Sequence, residues 1–287
     1  MQDKTIHLYE VGPRDGLQNE PENIATNDKI ALINSLNEVG FSLIEATSFV
    51  SAKWVPQLGD AAEVMAGITR KQGISYAALT PNMRGYEDAR KARMDEVAVF
   101  GAATQSFSQK NINCSIPESL ARFRPVVAAA LQDGIAARGY ISVVVHCPYE
   151  GKVAPLAVLE MAEALLEMGC YEISLGDTTG HATPETVSAL LDVLVPRLNP
   201  DILVGHFHDT RNRAIENVMT CLDYGLRKFD SSVGGLGGCP FAPGAKGNVS
   251  TSLLHDALVA AGWHTGLDRA ALRKSEELVT KMGLKPR

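Results

Sequence analysis

Two histidines one residue apart, His206 and His208, close the apolar run Ile202-Leu203-Val204-Gly205-His206-Phe207-His208-Asp209. Such a run reads as a strand, on which side chains alternate faces with a period of two. Both imidazoles therefore point the same way, in line with Ile202 and Val204, with Phe207 on the opposite face. A lone histidine is usually structural; two side by side at a strand end call for a divalent cation or acid–base work. A second cluster is the turn Gly12-Pro13-Arg14-Asp15-Gly16-Leu17-Gln18-Asn19-Glu20, which gathers a guanidinium, carboxylates and amides. Taken alone, that turn reads more simply as a solvated loop with Asp15 as a cap. A third is the long glycine-rich stretch 231–248, with Cys239 in its middle and Asn248 at its end. It lacks Walker spacing, so mobility over a ligand is the better reading than a phosphate cradle. A cysteine flanked by glycines in such a loop is a candidate for proton transfer or nucleophilic attack. Asn248 reads either as the N-cap of the next helix or as an oxygen donor to a cation. Together Asp15, His206, His208 and Asn248 offer two nitrogens and two oxygens, a set suited to octahedral Mg²⁺, Mn²⁺ or Co²⁺. Ligand type excludes a thiolate-rich zinc site, and catalytic Zn²⁺ stays open.

Something must bring these distant segments together. Strand candidates fall at 5–11, 42–47, 74–79, 95–101, 139–146, 171–176, 201–208 and 227–233. Each is rich in β-branched or aromatic residues and ends at a turn signal. Helix candidates between them include 26–39 with Thr26 as N-cap, 117–137, 154–168, 183–196 behind Thr183-Pro184, and 210–224. Strands alternating with helices imply parallel pairing through right-handed crossovers, and eight such units point to a closed (β/α)₈ TIM barrel. An open doubly wound sheet would need a dinucleotide-type glycine turn that Gly12–Gly16 does not supply. The whole chain, 1–287, reads as one catalytic domain, with a charged helix at 267–282 in a C-terminal helical tail spanning 267–287. In these barrels the chemistry lies at the C-terminal ends of the strands. That rule puts the three loops at one mouth, together with strand ends carrying Glu45, His146 and Asp177. Asp177 there serves either a turn or the chemistry, and Thr183 is the better helix cap.

Composition narrows the class. With 45% apolar and 21% charged residues the chain is an ordinary globular protein. A net charge of −6 argues against a nucleic-acid partner held through phosphates. No apolar run reaches the roughly 20 residues a membrane helix needs. Met1-Gln2-Asp3-Lys4 runs straight into a strand, leaving no room for a targeting peptide. Five scattered cysteines argue against a disulfide framework. Both observations favour a cytoplasmic location.

Four segments carry a resemblance: Val11–Glu20, Ile44–Gln57, Lys110–Ser115 and Val233–Pro240 with its Gly-Gly-Leu-Gly-Gly-Cys run. They resemble the 3-hydroxy-3-methylglutaryl-CoA lyase family, within a wider group of metal-dependent barrels that make or break carbon–carbon bonds beside a carbonyl. The resemblance implies that Asp15, His206, His208 and Asn248 bind Mg²⁺ or Mn²⁺. It implies that Arg14, Cys239 and Asp177 are catalytic, and that Gln18 and Glu45 bind substrate. The implied reaction is cleavage of 3-hydroxy-3-methylglutaryl-CoA to acetoacetate and acetyl-CoA, in leucine breakdown and ketone-body chemistry. The implied partners are an acyl-CoA substrate and a second copy in a homodimer. Alternatives are a lyase for another branched 3-hydroxyacyl-CoA, an enzyme condensing acetyl-CoA with a 2-oxoacid, and a catalytically silent acyl-CoA- or metal-binding protein. The chain departs from the family pattern at His146, at Thr179 and His181, at Arg211-Asn212-Arg213, and at Ser252. These positions cluster at the mouth, where acyl or CoA specificity would be set. Arg211 and Arg213 there either hold an anionic group or sit on a solvated helix start.

Overall fold

The computed structural model describes residues 4–238 and 246–285 of the 287-residue chain. Eight strands form a closed, all-parallel ring: β1 His7–Glu10, β2 Leu43–Ser48, β3 Ser75–Leu79, β4 Glu96–Ala102, β5 Ala136–Ser142, β6 Ile173–Asp177, β7 Leu203–Phe207 and β8 Lys228–Ser231. Each strand pairs with its neighbours in sequence, and β8 closes on β1 through Leu8↔Phe229 and Glu10↔Ser231. This is the (β/α)₈ barrel that the alternation of elements implies.

The helices outside the ring are α1 Thr26–Leu36, α2 Ala61–Gly67, α3 Met83–Lys91, α4 Gln105–Ile112, α5 Ile116–Gln132, α6 Pro155–Met168, α7 Pro184–Leu194, α8 Ala214–Asp223 and α9 Thr251–Ala260. The main core lies between ring and helices. Leu8, Ile44, Val97, Ile141, Leu175 and Phe229 face outward onto Leu32, Val127, Leu165, Leu190 and Val218. Full burial of side chains this size stabilises the fold by roughly 1.5–3 kcal/mol each. A further helix, α10 Arg269–Lys281, buries Leu272, Ser275 and Val279, and is joined to α1 by Ser35 Oγ to Ser275 Oγ at 2.8 Å. Among the described residues no helix is long and apolar enough to cross a membrane.

Several boundaries differ from those the sequence suggests. α5 starts at Ile116 because Ser115 and Glu118 form a reciprocal capping box, an arrangement that contributes about 1 kcal/mol. It stops at Gln132, and Gly134 follows in the left-handed region at φ 71°. Ala136-Ala137-Arg138 is therefore strand rather than helix, because β4 pairs with it from Glu96↔Ala136 onward. At the other end β5 closes at Ser142, and Val143 turns at φ 57°. His146 consequently sits in a two-residue antiparallel hairpin, paired with Lys152, and does not end β5. Thr26 is not a cap; it is the first helical residue, and its hydroxyl donates to Asp60 Oδ2 at 2.7 Å. α8 starts at Ala214, not 210, because Asp209 Oδ1 accepts the Ala214 N–H (3.1 Å) and folds 209–213 into a turn.

The inside of the ring is unusual. A small apolar cluster of Tyr9, Leu43, Ala77 and Val204 fills part of it. Beside it stand charges, with Arg138, Glu172 and Asp230 all at 2% exposure or less. Such charges persist in a core only when paired and hydrogen-bonded.

Candidate active site

Loop 1 leaves β1 as a single wide helical turn, Gly12–Gly16, in which Pro13 fixes the first φ and Arg14 and Asp15 follow. Glu10, buried at the end of β1, shapes this turn. Its Oε1 accepts the N–H groups of both Gly12 and Val233 at 2.8 Å, and Oε2 accepts the Thr251 hydroxyl at 2.9 Å. One carboxylate thus ties loop 1 to the beginning of the glycine-rich loop 8. Burial pushes its pKa up to about 7, against the pull of these hydrogen bonds.

Arg14 is buried, with Nε on Glu45 Oε2 and a terminal nitrogen on Asp15 Oδ1, both at 2.6 Å, and its guanidinium lies 5.4 Å from the Tyr140 ring centre. Burial opposes its charge, but the Glu45 and Asp15 carboxylates win and hold it protonated. Asp15 in turn is driven well below the ordinary carboxylate range: desolvation raises it, and Arg14, His206 and His208 more than offset that. A permanent cation and a permanent anion thus stand side by side at the barrel mouth.

β7 delivers the histidines as its period of two requires. Their ring centres are 5.5 Å apart, and His206 Nε2 lies 4.0 Å from Asp15 Oδ2. Asp15, His206 and His208 bring one donor atom each within 4.8 Å of one another. His208 is held neutral, lowered to about 4 by burial and by His206 beside it. Asn248, bridged to His208 across the backbone, donates its amide to Asp15 Oδ2 at 2.7 Å and to the Leu236 carbonyl at 3.2 Å. It does not cap α9, whose N-cap is Ser250.

These residues fit a divalent cation on their own chemistry. The donors are a hard carboxylate and two imidazoles, with the Asn248 carboxamide braced against the carboxylate. Three buried polar atoms around them, His208 Nδ1, Glu45 Oε1 and Gln18 Oε1, have no hydrogen-bond partner among the described residues. Buried polar groups are almost always satisfied, so unpaired atoms gathered in one place mark where a ligand belongs.

Above this floor opens a cavity of about 860 Å³, lined by Arg14, Asp15, Gln18, His206 and His208. Its walls carry Val50, Trp54, Phe107, Tyr149, Lys110 and Arg122. Asp177 is 1% exposed and does not line the cavity. Its two oxygens accept the His181 and Ala182 N–H groups at 3.0 and 2.9 Å and so fold loop 6, while burial pushes its pKa up to about 6. Glu45 is likewise buried, and it holds Arg14 at 2.6 Å. Cys239 lies outside the described residues, as does the centre of the loop read as mobile. His146 and His181, whose roles the sequence left open, stack at 4.0 Å and 8°, and Arg211 donates to His181 Nε2 at 2.6 Å.

Sequence reasoning missed Asp230, whose Oδ2 is 3.1 Å from His206 Nδ1, and the Arg138 that pairs with it. The available signal was a carboxylate in the middle of the strand candidate 227–233, directly before the glycine-rich stretch.

Comparison with known proteins agrees with this architecture. The family model described as HMGL-like matches residues 5–279. A Pseudomonas aeruginosa protein named 3-hydroxy-3-isohexenylglutaryl-CoA/hydroxymethylglutaryl-CoA lyase is 50% identical over 269 residues, 94% of this chain and 90% of that protein. The crystal structure of the HMG-CoA lyase from Brucella melitensis is 53% identical with a TM-score of 0.96, covering 97% of this chain and 99% of that one. An HMG-CoA lyase from Acinetobacter baumannii, solved with coenzyme A and 3-methylmalate, is 38% identical with a TM-score of 0.94, covering 100% and 94%. Fold and sequence agree, and the chain belongs to the HMGL-like family.

Proposed function

We propose that this protein is a divalent-cation-dependent carbon–carbon lyase that cleaves 3-hydroxy-3-methylglutaryl-CoA into acetoacetate and acetyl-CoA. The observation that carries the reading is the convergence of Asp15, His206 and His208 beside Arg14 on the floor of one large cavity. Close relatives named for this activity, and one solved with coenzyme A, support the substrate class.

The reaction is a retro-Claisen cleavage. The tertiary hydroxyl gives up its proton to a base, and a carbonyl forms at C3. The C2–C3 bond breaks, and its electron pair passes to the acetyl-CoA fragment as an enolate. A proton returned to the enolate carbon completes acetyl-CoA. Arg14, kept cationic by Glu45 and Asp15, stabilises the charge gathering on the thioester oxygen. Asp15, His206, His208 and Asn248 would hold Mg²⁺ or Mn²⁺, which when bound supplies Lewis acidity toward the hydroxyl and orients it. Cys239 is assigned the final proton transfer on family resemblance. Lys110 and Arg122 on the cavity wall suit the phosphates of coenzyme A.

A second reading concerns breadth. The cavity wall is apolar over Val50, Leu79, Phe100, Phe107 and Ile112, and one relative's name spans both a methyl and an isohexenyl substrate. Longer branched 3-hydroxyacyl-CoA thioesters therefore belong on the test panel.

The test is acetoacetate release from 3-hydroxy-3-methylglutaryl-CoA by purified protein, with and without chelator. Turnover is expected to vanish on chelation and return with Mg²⁺ or Mn²⁺. Turnover that survives chelation would overturn the cation, and absence of turnover in cation-loaded protein would overturn the substrate. A longer acyl-CoA preferred by orders of magnitude in kcat/KM would replace the named substrate.

A further inference from the structure

The two site histidines look alike in sequence but not in their surroundings. His208 Nδ1 is buried with no partner among the described residues, whereas His206 Nδ1 meets Asp230 Oδ2 at 3.1 Å. Asp230 is held from two further directions: Arg138 donates to Oδ1 and the Ser174 hydroxyl to Oδ2, both at 2.7 Å. An ionised carboxylate only accepts, so the hydrogen between Asp230 and His206 sits on the imidazole Nδ1. That leaves the other ring nitrogen, Nε2, facing Asp15 Oδ2 at 4.0 Å.

Arg138 makes this arrangement permanent. It is 1% exposed, projects inside the ring from β5, and contacts three strands. One terminal nitrogen takes Asp230, and the other donates to the Tyr140 hydroxyl at 2.9 Å. Its Nε stands 2.9 Å from Glu172 Oε1, close enough for charge pairing but out of line for a hydrogen bond. The guanidinium also stacks between the Tyr9 and Tyr140 rings at 5.1 and 4.8 Å. Lys228 completes the neutralisation from the far side of Glu172 at 2.9 Å. A polar column thus runs up the barrel axis, from Lys228 and Glu172 through Arg138 and Asp230 to His206 at the mouth.

We infer that Asp230, pinned by Arg138 and Ser174, is the positioning residue that fixes His206 as its Nδ1–H tautomer and thereby sets the affinity of the site for a divalent cation. Carboxylates that orient a ligating imidazole commonly change metal affinity by ~10–100-fold when removed. The proposal rests on the cation reading above, so its test separates the two. Nitrogen-15 NMR of the imidazoles in cation-free protein reports the tautomer directly. Calorimetric titration with Mn²⁺ reports affinity without any turnover.

The wild-type chain is expected to show His206 protonated on Nδ1. Asp230→Asn is expected to lose that preference, because an amide nitrogen turned toward the ring can donate to Nδ1, and to weaken Mn²⁺ binding by ~10–100-fold. Ser174→Ala, which removes only one support of Asp230, keeps the test open if the first variant does not fold. It is expected to weaken Mn²⁺ binding by a smaller factor in the same direction. Wild-type His206 protonated on Nε2, or Mn²⁺ binding unchanged in both variants, would overturn the proposal. Wild-type protein that keeps the Nδ1–H tautomer but binds no Mn²⁺ supports the tautomer assignment and overturns the cation reading instead.

Discussion

Arg14 shows how much one side chain depends on its neighbours. It lies 6% exposed in a turn, and its charge is affordable there because Glu45 and Asp15 each come within 2.6 Å. The fork geometry of those two contacts is specific to a guanidinium. Arg14→Gln is expected to lower kcat by ~10²–10³ with a small change in KM, because the donor matters most once charge has developed. Arg14→Lys keeps the charge but not the fork, and is expected to recover little. Steady-state kinetics of both variants check this, and full activity in the lysine variant would show that charge alone suffices. At this scale the sequence was uneven. His206 and His208 were legible because strand period is local, whereas the turn with Arg14 and Asp15 reads alone as a solvated loop, and Arg14 stood out only through the family resemblance. Asp230 and Arg138 were not legible, because their pairing spans 92 positions and neither residue has a local signature. The surroundings of Asp177 were not legible either, because a strand-end carboxylate looks the same in sequence with or without the two backbone amides that it accepts here.

Among the elements, the β1 end and the start of loop 8 act as one unit through Glu10. Its carboxyl is raised from an ordinary value near 4.5 to about 7 by burial. A raised carboxyl contributes stability that is fully present below pH 4.5 and is lost as pH rises through about 7. The gap corresponds to about 3 kcal/mol. Glu10→Gln removes this dependence while keeping an acceptor for Gly12 and Val233. Relative to wild type, the variant is therefore expected to gain about 3 kcal/mol between pH 4 and pH 8 in urea denaturation. A constant difference across that range would show that Glu10 does not titrate there. Packing between these loops is equally close. A methyl group on Gly16 would lie 2.8 Å from Leu236 Cβ and 2.9 Å from Ser232 Oγ. Gly16→Ala is thus expected to push loop 1 off loop 8 and lower kcat/KM, with fold and melting behaviour as controls. Element types were largely readable from composition. Boundaries failed where tertiary pairing overrode local preference, as where β4 draws Ala136–Arg138 out of the preceding helix.

Across the whole molecule, the barrel is held in two ways. Outside, apolar burial against the helices is generic and was visible as periodicity. Inside, the lattice of Arg138, Glu172 and Asp230 joins β5, β6 and β8, and nothing in a linear pattern announces it. Arg138→Leu would strip buried Asp230 of its guanidinium and leave Glu172 with Lys228 alone, and is expected to cost ~3–5 kcal/mol in chemical denaturation. A loss below 1 kcal/mol would mean that water or rearranged partners relieve those charges. The separations involved carry a consequence for how the protein is made. His206 and His208 leave the ribosome before Asp230 does, and Asp15 waits through 233 further positions for Asn248. A nascent chain ending near residue 225 would hold both imidazoles without the group that orients one of them. The carboxylate behind His206 and the carboxamide beside Asp15 thus become available only with the last stretch of chain to be made.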